Sequence, residues 1–204
     1  MQPTLITDFE HDAFWLQKLE RLLQIDPSES IALRIWVRDK DLTTQELPTS
    51  SLRRVARLPK VRLQWSWCHR QEAAPSEMLH IPDDRMLRDA SLALTGRRIL
   101  SCHSIEHAAE LLTSYPDDQV LLSPWAPSLS KSQTYRSLNH EEVVQLVGRF
   151  PQRIHLTSGL TPSDFNQLHP YPFASLCLLG ALRHDMASCL EQLRAHYRAT
   201  SARR

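Results

Sequence analysis

Apolar residues along this chain form short runs of three to seven residues, separated by longer stretches with a helical pattern. The strand-like runs occupy 4–7, 31–37, 61–67, 78–81, 99–103, 120–122, 154–157 and 174–179. Between most of them, apolar side chains recur every three or four residues, as on one face of an amphipathic helix. Strands that alternate with helices through the whole chain predict an α/β fold, a compact (β/α)8 TIM barrel. A doubly wound α/β sheet is the second possibility.

Helix boundaries are indicated by local signals. Helices are predicted over 11–23, 50–58, 85–94, 104–112, 141–150 and 185–197, with a short one that starts at Thr161. Ser104 and Asn139 are expected as N-caps, and the aspartates after the fourth strand suit a helix start. The segment 69–77 is too short and polar for a full helix, so the helix after strand three is shortened or missing. We expect one barrel domain over 1–198 and a disordered basic tail over 199–204.

The composition is that of an ordinary globular protein. The 204 residues are 42% hydrophobic and 23% charged, with a net charge of +1. Such a balance gives no field that would select nucleic acid or an anionic membrane, and no apolar run has membrane length. The four cysteines show no CxxC spacing, which favours reduced thiols in a cytoplasmic protein. With four glycines, the chain has neither a dinucleotide-binding GxGxxG motif nor a Walker loop.

A phosphate site is indicated by another pattern, the stretch QVLLSPWAPSLSK over 119–131. A buried strand breaks here into a loop in which the hydroxyls of Ser128 and Ser130 and the ammonium of Lys131 can converge on one anion. Gly159 and Gly180 follow the seventh and eighth strands, where loops of TIM barrels often hold a phosphate. A missing side chain would let an anion approach the backbone amides. The alternative is a solvated connector with two turn glycines.

These segments, in this order, resemble the thiamine phosphate synthases and the related thiazole tautomerases. SPWAPSLSK at 123–131 is similar to the family's Gly-Pro-x-Phe-x-Thr-x-Thr-Lys, and SCHS at 101–104 to its Ser-x-His-Ser. LTP at 160–162, after Gly159, resembles Gly-Gly-Ile-Thr; LGAL at 179–182 resembles Val-Ser-Ala-Ile; RDK at 38–40 resembles Arg-Glu-Lys. Each match is short, and the resemblance depends on their shared order.

The resemblance implies an enzyme that joins hydroxymethylpyrimidine diphosphate to hydroxyethylthiazole phosphate, giving thiamine phosphate. Mg²⁺ and basic side chains would stabilise the departing diphosphate. Carried over by position, Ser128, Ser130, Gly159 and Gly180 would hold the thiazole phosphate, while Arg38, Lys40, Ser101 and Lys131 would face the diphosphate. The expected partners are small thiazole and pyrimidine phosphates, with a homodimer as a further possibility.

The chain departs from the family pattern at the expected metal site. The family's Asn-Asp pair at the end of strand three has no match in the segment QWSW, so one Mg²⁺ ligand is missing. Asp83 or Asp84 would supply the other ligand. One aspartate would be enough, because Mg²⁺ can complete its shell with substrate phosphates and water. Trp36 replaces the family's glutamine two residues before Arg38, and Ser158 replaces the first glycine of the phosphate-binding pair.

Two other functions are compatible with the same sequence. A thiazole tautomerase needs no diphosphate or metal but requires a general acid and base, for which His103 at the end of strand five is the candidate. A non-catalytic relative could keep the phosphate site alone. The H-x-x-E-H pattern over 103–107 does not predict zinc, because His103 belongs to the strand and only His107 to the helix.

Overall fold

The strands of the chain form a ring. The computed structural model describes residues 2–6, 17–22, 33–37, 49–58, 60–74, 76–91, 97–127, 137–178 and 185–201. The strands are β1 (Gln2–Ile6), β2 (Leu33–Val37), β3 (Val61–Ser66), β4 (Met78–Ile81), β5 (Arg98–Cys102), β6 (Gln119–Leu122), β7 (Ile154–Thr157) and β8 (Ser175–Leu178). Each pairs in parallel with the next, and β1 also pairs with β8, which closes the ring.

Helices follow the strands along the chain. They are α1 (17–22), α2 (Thr49–Ala56), α3 (Arg85–Ser91), α4 (Ile105–Ser114), α5 (His140–Arg149), α6 (Asp164–Leu168) and α7 (Met186–Ser201). After β3 the chain forms only a 3-10 helix, Trp67–Glu72, which agrees with the expectation of a shortened helix there. The predicted α/β class and TIM-barrel-like architecture are confirmed.

The last helix is longer than predicted. It continues through Ser201, past the expected boundary at residue 198. Residues 194–201 contain neither glycine nor proline to stop it. The rest of the predicted tail, 202–204, lies outside the described residues. Within the described part of the chain, no helix is long and apolar enough to cross a membrane.

Strands β4, β7 and β8 are buried at every position, as expected for a parallel sheet covered by helices. Leu100 and Cys102 of β5 belong to the large core between the strands and the helices. Ile99 of the same strand belongs to a smaller cluster inside the ring. That inner cluster consists of Trp36, Met78, Ile99, Leu121 and Cys177. Because side chains alternate along a strand, Ser101 and the residue after β5, His103, continue the inward-facing series.

Polar residues fill the ring near the N-terminal ends of the strands. His155 of β7 is fully buried. Its Nε2 bonds to Gln119 Oε1 at 2.6 Å, and its Nδ1 lies 2.6 Å from Ser175 Oγ and 3.4 Å from Arg34 Nη1. Because Arg34 only donates and the Gln119 oxygen only accepts, the neutral ring with its proton on Nε2 fits this network. Burial, and then the charge of Arg34, lower the pKa of His155 well below its usual value.

Helix N-termini follow the predicted capping chemistry. The Ser104 hydroxyl accepts the amide of His107 at the start of α4. The Asn139 side chain accepts two amides at the start of α5. Asp84 Oδ1 accepts the Leu87 amide at 3.1 Å in the first turn of α3.

Candidate functional site

The C-terminal ends of the strands bring a group of polar side chains together. Ser66 ends β3, and His80 and Ser101 are the second-to-last residues of β4 and β5. His103 and Ser123 follow β5 and β6 directly. In α/β barrels the loops at this end of the strands build the active site. We refer to this end of the ring as the mouth.

Ser101, a predicted diphosphate contact, is bonded inside the mouth. Its Oγ lies 2.7 Å from Nε2 of His80. The His80 ring packs against Trp36 with ring centroids 4.3 Å apart. Trp36 Nε1 in turn donates to Ser66 Oγ at 3.0 Å. The Ser101 hydroxyl is thus bonded to His80, whose ring is packed against Trp36, and a ligand at Ser101 would meet His80 as well.

Sequence reasoning missed His80 and Ser66 as parts of this site. Both lie in predicted strands, but nothing local distinguishes them from structural residues. The alternation of side chains along a strand was the available signal. His80 is two residues after Met78, which faces the inside of the ring, so His80 faces the inside too. Gln64 was also missed. Its amide is fully buried and has no hydrogen-bond partner in the described part of the chain, an arrangement that costs about 1–3 kcal/mol.

His103, the candidate acid and base, is bonded to Ser123 at the neighbouring strand end. Its Nδ1 lies 3.0 Å from Ser123 Oγ and 3.1 Å from the Ser123 carbonyl oxygen. The His103 side chain is half-buried, whereas Ser123 is buried. His103 precedes α4 and His107 lies within it, so the two histidines do not share a helix face, as predicted.

The loops after β6 and β7 are in direct contact. The amide of Trp125 donates to the Thr157 carbonyl at 3.0 Å, and that of Ala126 to the Ser158 carbonyl at 3.1 Å. Gly159 packs against this segment so closely that a Cβ atom on it would lie 2.5 Å from the Ala126 carbonyl oxygen. The space left by the absent side chain is therefore taken by Ala126, where an approaching anion was expected. The backbone amide of Gly159 remains a predicted phosphate contact.

The base of the loop after β6 is anchored at both ends. The Leu138 amide donates to the Pro124 carbonyl at 3.0 Å. The Trp125 ring stacks on His140 of α5, with centroids 3.6 Å apart and planes 8° from parallel. The two ends of the loop that carries the predicted phosphate ligands are therefore bonded to each other, and the first end lies beside Gly159. Ser128, Ser130 and Lys131 lie outside the described residues, as do Arg38, Lys40 and Gly180.

The two aspartates predicted as metal ligands have protein partners. Asp83 Oδ1 lies 3.4 Å from Arg88 Nη1, which also donates to His107 Nε2 at 2.9 Å. Asp84 caps α3. Across the described ranges, no three His, Cys, Asp or Glu side chains are grouped so that they could hold a metal. Mg²⁺ stays a prediction, which would rest on one aspartate with substrate phosphates and water completing the metal's shell.

The thiol of Cys102, the last residue of β5, lies in the core between the strands and the helices. The side chain is fully buried, and its Sγ lies 3.8 Å from the Leu121 carbonyl oxygen. Burial, and then the nearby charge of Asp83, raise the pKa of the Cys102 thiol far above its ordinary value. The thiolate, which is the reactive form, is therefore suppressed.

Comparisons with known proteins find similarity in structure only. No protein-family model matches the chain, and no curated protein sequence matches it. Thiamine phosphate pyrophosphorylase from Pyrococcus furiosus is similar with a TM-score of 0.69 and 15% identity, over 96% of this chain and 94% of that one. The enzyme of that name from Bacteroides thetaiotaomicron has a TM-score of 0.59 and 16% identity, over 97% and 94%.

A third solved structure, 3-hexulose-6-phosphate synthase, has a TM-score of 0.65 and 12% identity, over 96% of this chain and 99% of that chain. The likeness extends over nearly the full length of each of these proteins, but at such low identity it bears on the fold alone. The chain shares an α/β TIM-barrel-like fold with enzymes that include thiamine phosphate pyrophosphorylase.

Proposed function

We propose that this chain is a thiamine phosphate synthase-like transferase, which joins hydroxymethylpyrimidine diphosphate to hydroxyethylthiazole phosphate. The observation that carries the proposal is the contact between the loops after β6 and β7, where the Ala126 amide donates to Ser158 and Gly159 packs on Ala126. Two segments that resemble the family's phosphate-binding motifs, far apart in the sequence, meet there at the mouth. The fold shared with thiamine phosphate pyrophosphorylase supports the same function.

The proposed reaction exchanges one bond for another at the pyrimidine methylene carbon. The carbon–oxygen bond to diphosphate breaks and its electron pair leaves with the diphosphate, while the thiazole nitrogen donates its lone pair to the carbon. Arg38, Lys40, Lys131 and the Ser101 hydroxyl would face the leaving diphosphate, whose charge requires several donors in a partly dry cleft. Ser128, Ser130 and the amides at Gly159 and Gly180 would hold the thiazole phosphate.

Incubation of the pure protein with both substrates, with and without Mg²⁺, tests this function. Chromatography should reveal thiamine phosphate that accumulates with time. The Ser130→Ala and Lys131→Ala variants should lose most of the product, whereas Lys18→Ala, an exposed lysine of α1, should match the wild type. Absence of product from the wild type would retire the transferase, and full activity of Lys131→Ala would reject the site assignment.

A thiazole tautomerase-like isomerase is the second candidate, and the fixed position of His103 favours it. Two contacts of 3.0 and 3.1 Å hold one nitrogen of this half-buried ring beside the mouth. An imidazole held in this way can move a proton on a bound thiazole carboxylate near neutral pH. This reaction requires neither a diphosphate nor a cluster of carboxylates.

Calorimetry separates these two enzymes from a non-catalytic binding protein. A transferase should bind both substrates with Mg²⁺ dependence, an isomerase the thiazole alone, and a non-catalytic relative either neither substrate or the product alone. Proton exchange into the thiazole carboxylate phosphate, followed by NMR in D₂O, should stop in His103→Asn if the isomerase proposal is correct. Exchange at the wild-type rate in that variant would eliminate it.

A further inference from the structure

The two contacts of His103 Nδ1 with Ser123 indicate that this nitrogen carries a proton. The Ser123 carbonyl oxygen, 3.1 Å from Nδ1, is an acceptor and has no proton to give. The Ser123 hydroxyl oxygen lies 3.0 Å from the same nitrogen. If the hydroxyl donated to Nδ1, two lone pairs, those of Nδ1 and the carbonyl, would face each other at 3.1 Å. Both contacts are favourable only when Nδ1 carries a hydrogen that the two oxygens share.

We propose that Ser123 is a positioning residue that fixes His103 as the Nδ1–H tautomer, so that proton exchange at the mouth passes through Nε2. The Nδ1–H group donates to Ser123 in both the neutral and the protonated ring, and more strongly when the ring is charged. The ring therefore keeps its orientation when Nε2 gains or loses a proton, which is the requirement for a reversible acid and base.

The backbone around this pair is held on both sides. The Ser123 amide donates to the Cys102 carbonyl at 3.2 Å, which extends the β5–β6 pairing by one residue. On the other side of His103, Ser104 is fixed as the N-cap of α4 by its bond to the His107 amide. His103 thus projects from a short segment between a strand and a helix, which is the kind of support that precise positioning requires.

The Ser123 hydroxyl distinguishes this chain from the thiamine phosphate synthase motif that it resembles. Ser123 stands where the similar motif of the thiamine phosphate synthases has glycine, and a glycine would offer the carbonyl oxygen alone. The hydroxyl supplies the second acceptor. Its loss should shift the equilibrium between the two tautomers by about two- to tenfold toward Nε2–H, the range expected for one hydrogen bond.

Nitrogen-15 NMR of the full-length protein labelled at histidine tests the assignment without any ligand. At about pH 8, where an ordinary imidazole is neutral, the couplings of His103 should show a protonated Nδ1 and a bare Nε2. Ser123→Ala should shift the tautomer ratio by the expected amount, and Ser123→Thr, which keeps the hydroxyl, should restore the wild-type ratio. Ser137→Ala, an exposed serine, should leave it unchanged.

Two results would overturn the proposal: a wild-type His103 protonated on Nε2, or a ratio that stays the same in Ser123→Ala. The use of this tautomer in catalysis rests on the isomerase candidate, but the tautomer itself does not. Loss of the isomerase activity would therefore leave the NMR result standing, and a negative NMR result would leave both reactions to be judged by their own assays.

Discussion

Ser158 and Gly159 adopt left-handed backbone angles next to each other at the end of β7, with φ of 68° and 79°. The glycine tolerates this conformation without strain, whereas a residue with a Cβ atom pays roughly 1–2 kcal/mol for it. Ser158 adopts this strained conformation, and its carbonyl oxygen accepts a hydrogen bond from the Ala126 amide. Such local strain beside a candidate site is consistent with a loop whose shape matters for binding.

Substitution of Gly159 should therefore be damaging. In Gly159→Ala the new Cβ meets the Ala126 carbonyl oxygen at 2.5 Å while the backbone keeps a positive φ. We expect a loss of about 2–4 kcal/mol in the free energy of unfolding, measured with urea. Gly148 of α5 is the matched control, because a Cβ there meets nothing within 4 Å. Gly148→Ala should stabilise by about 0.5–1 kcal/mol, and equal effects of the two variants would contradict this account.

Residues whose role depends on near neighbours could be predicted from the sequence. Ser104, Asn139 and Asp84 cap helices that begin within three residues of them, so the necessary information is local. The contact of His80 with Ser101 depends on the register of two strands, and no local pattern specifies it. The contact of Ser123 with His103 is likewise not specified by any local pattern, because the sequence predicted Ser123 only as the point where a strand ends and a loop begins.

Among the elements, the connection from β3 to β4 shows how a helix can be replaced. The 3-10 helix after β3 is followed by Glu77, whose carboxylate accepts from Trp65 Nε1 at 2.7 Å and from the Ala74 amide at 2.8 Å. Arg53 of α2 donates to both oxygens of this carboxylate. The Glu77 carboxylate thus links β3, the short connection and α2 by hydrogen bonds. These contacts take the place of the packing that a longer helix would provide.

Removal of that carboxylate should be costly. Glu77→Ala leaves the indole nitrogen of the fully buried Trp65 and a backbone amide without their acceptor. We expect a loss of about 2–4 kcal/mol in the free energy of unfolding. The Arg85–Asp89 pair is exposed, with 3.9 Å between its charged atoms. Asp89→Ala should therefore change stability by less than about 0.5 kcal/mol. A Glu77→Ala protein as stable as Asp89→Ala would show that the network contributes little.

At the scale of the whole molecule, the polar network at the N-terminal ends joins strands that are distant in sequence. Arg34, Gln119, His155 and Ser175 come from β2, β6, β7 and β8. Alternation and the ring architecture predict that such residues face inward, but the sequence does not predict that they bond to one another. The ring itself followed from the order of strand and helix patterns, which is a property of the whole chain.

This network makes stability depend on pH. The pKa of His155 is lowered well below its usual 6.5 in the folded protein, so the unfolded chain binds a proton before the folded one does. The stabilisation from this group is complete above about pH 6.5 and declines as the pH falls, by at most about 1.4 kcal/mol per pH unit. Urea unfolding between about pH 7.5 and 5.5 should show this decline in the wild type.

The His155→Gln variant should lose that part of the pH dependence. His169→Gln, on the turn after α6, should keep the wild-type profile, because His169 lies outside the network. Parallel profiles for the wild type and His155→Gln would mean that His155 does not remain neutral when the protein folds.

On the proposed function, a thiazole phosphate binds at the mouth, where the loops after β6 and β7 meet. Titration of ¹⁵N-labelled protein with hydroxyethylthiazole phosphate, followed by amide NMR, tests whether the ligand binds there. The amides of Ala126, Ser158 and Gly159 should shift and saturate, while those of Gln119 and Arg153 at the opposite end should stay in place. Hydroxyethylthiazole without phosphate should produce little change at the same concentration. Saturable shifts centred on the N-terminal ends of the strands, or no saturable shift at all, would contradict the account.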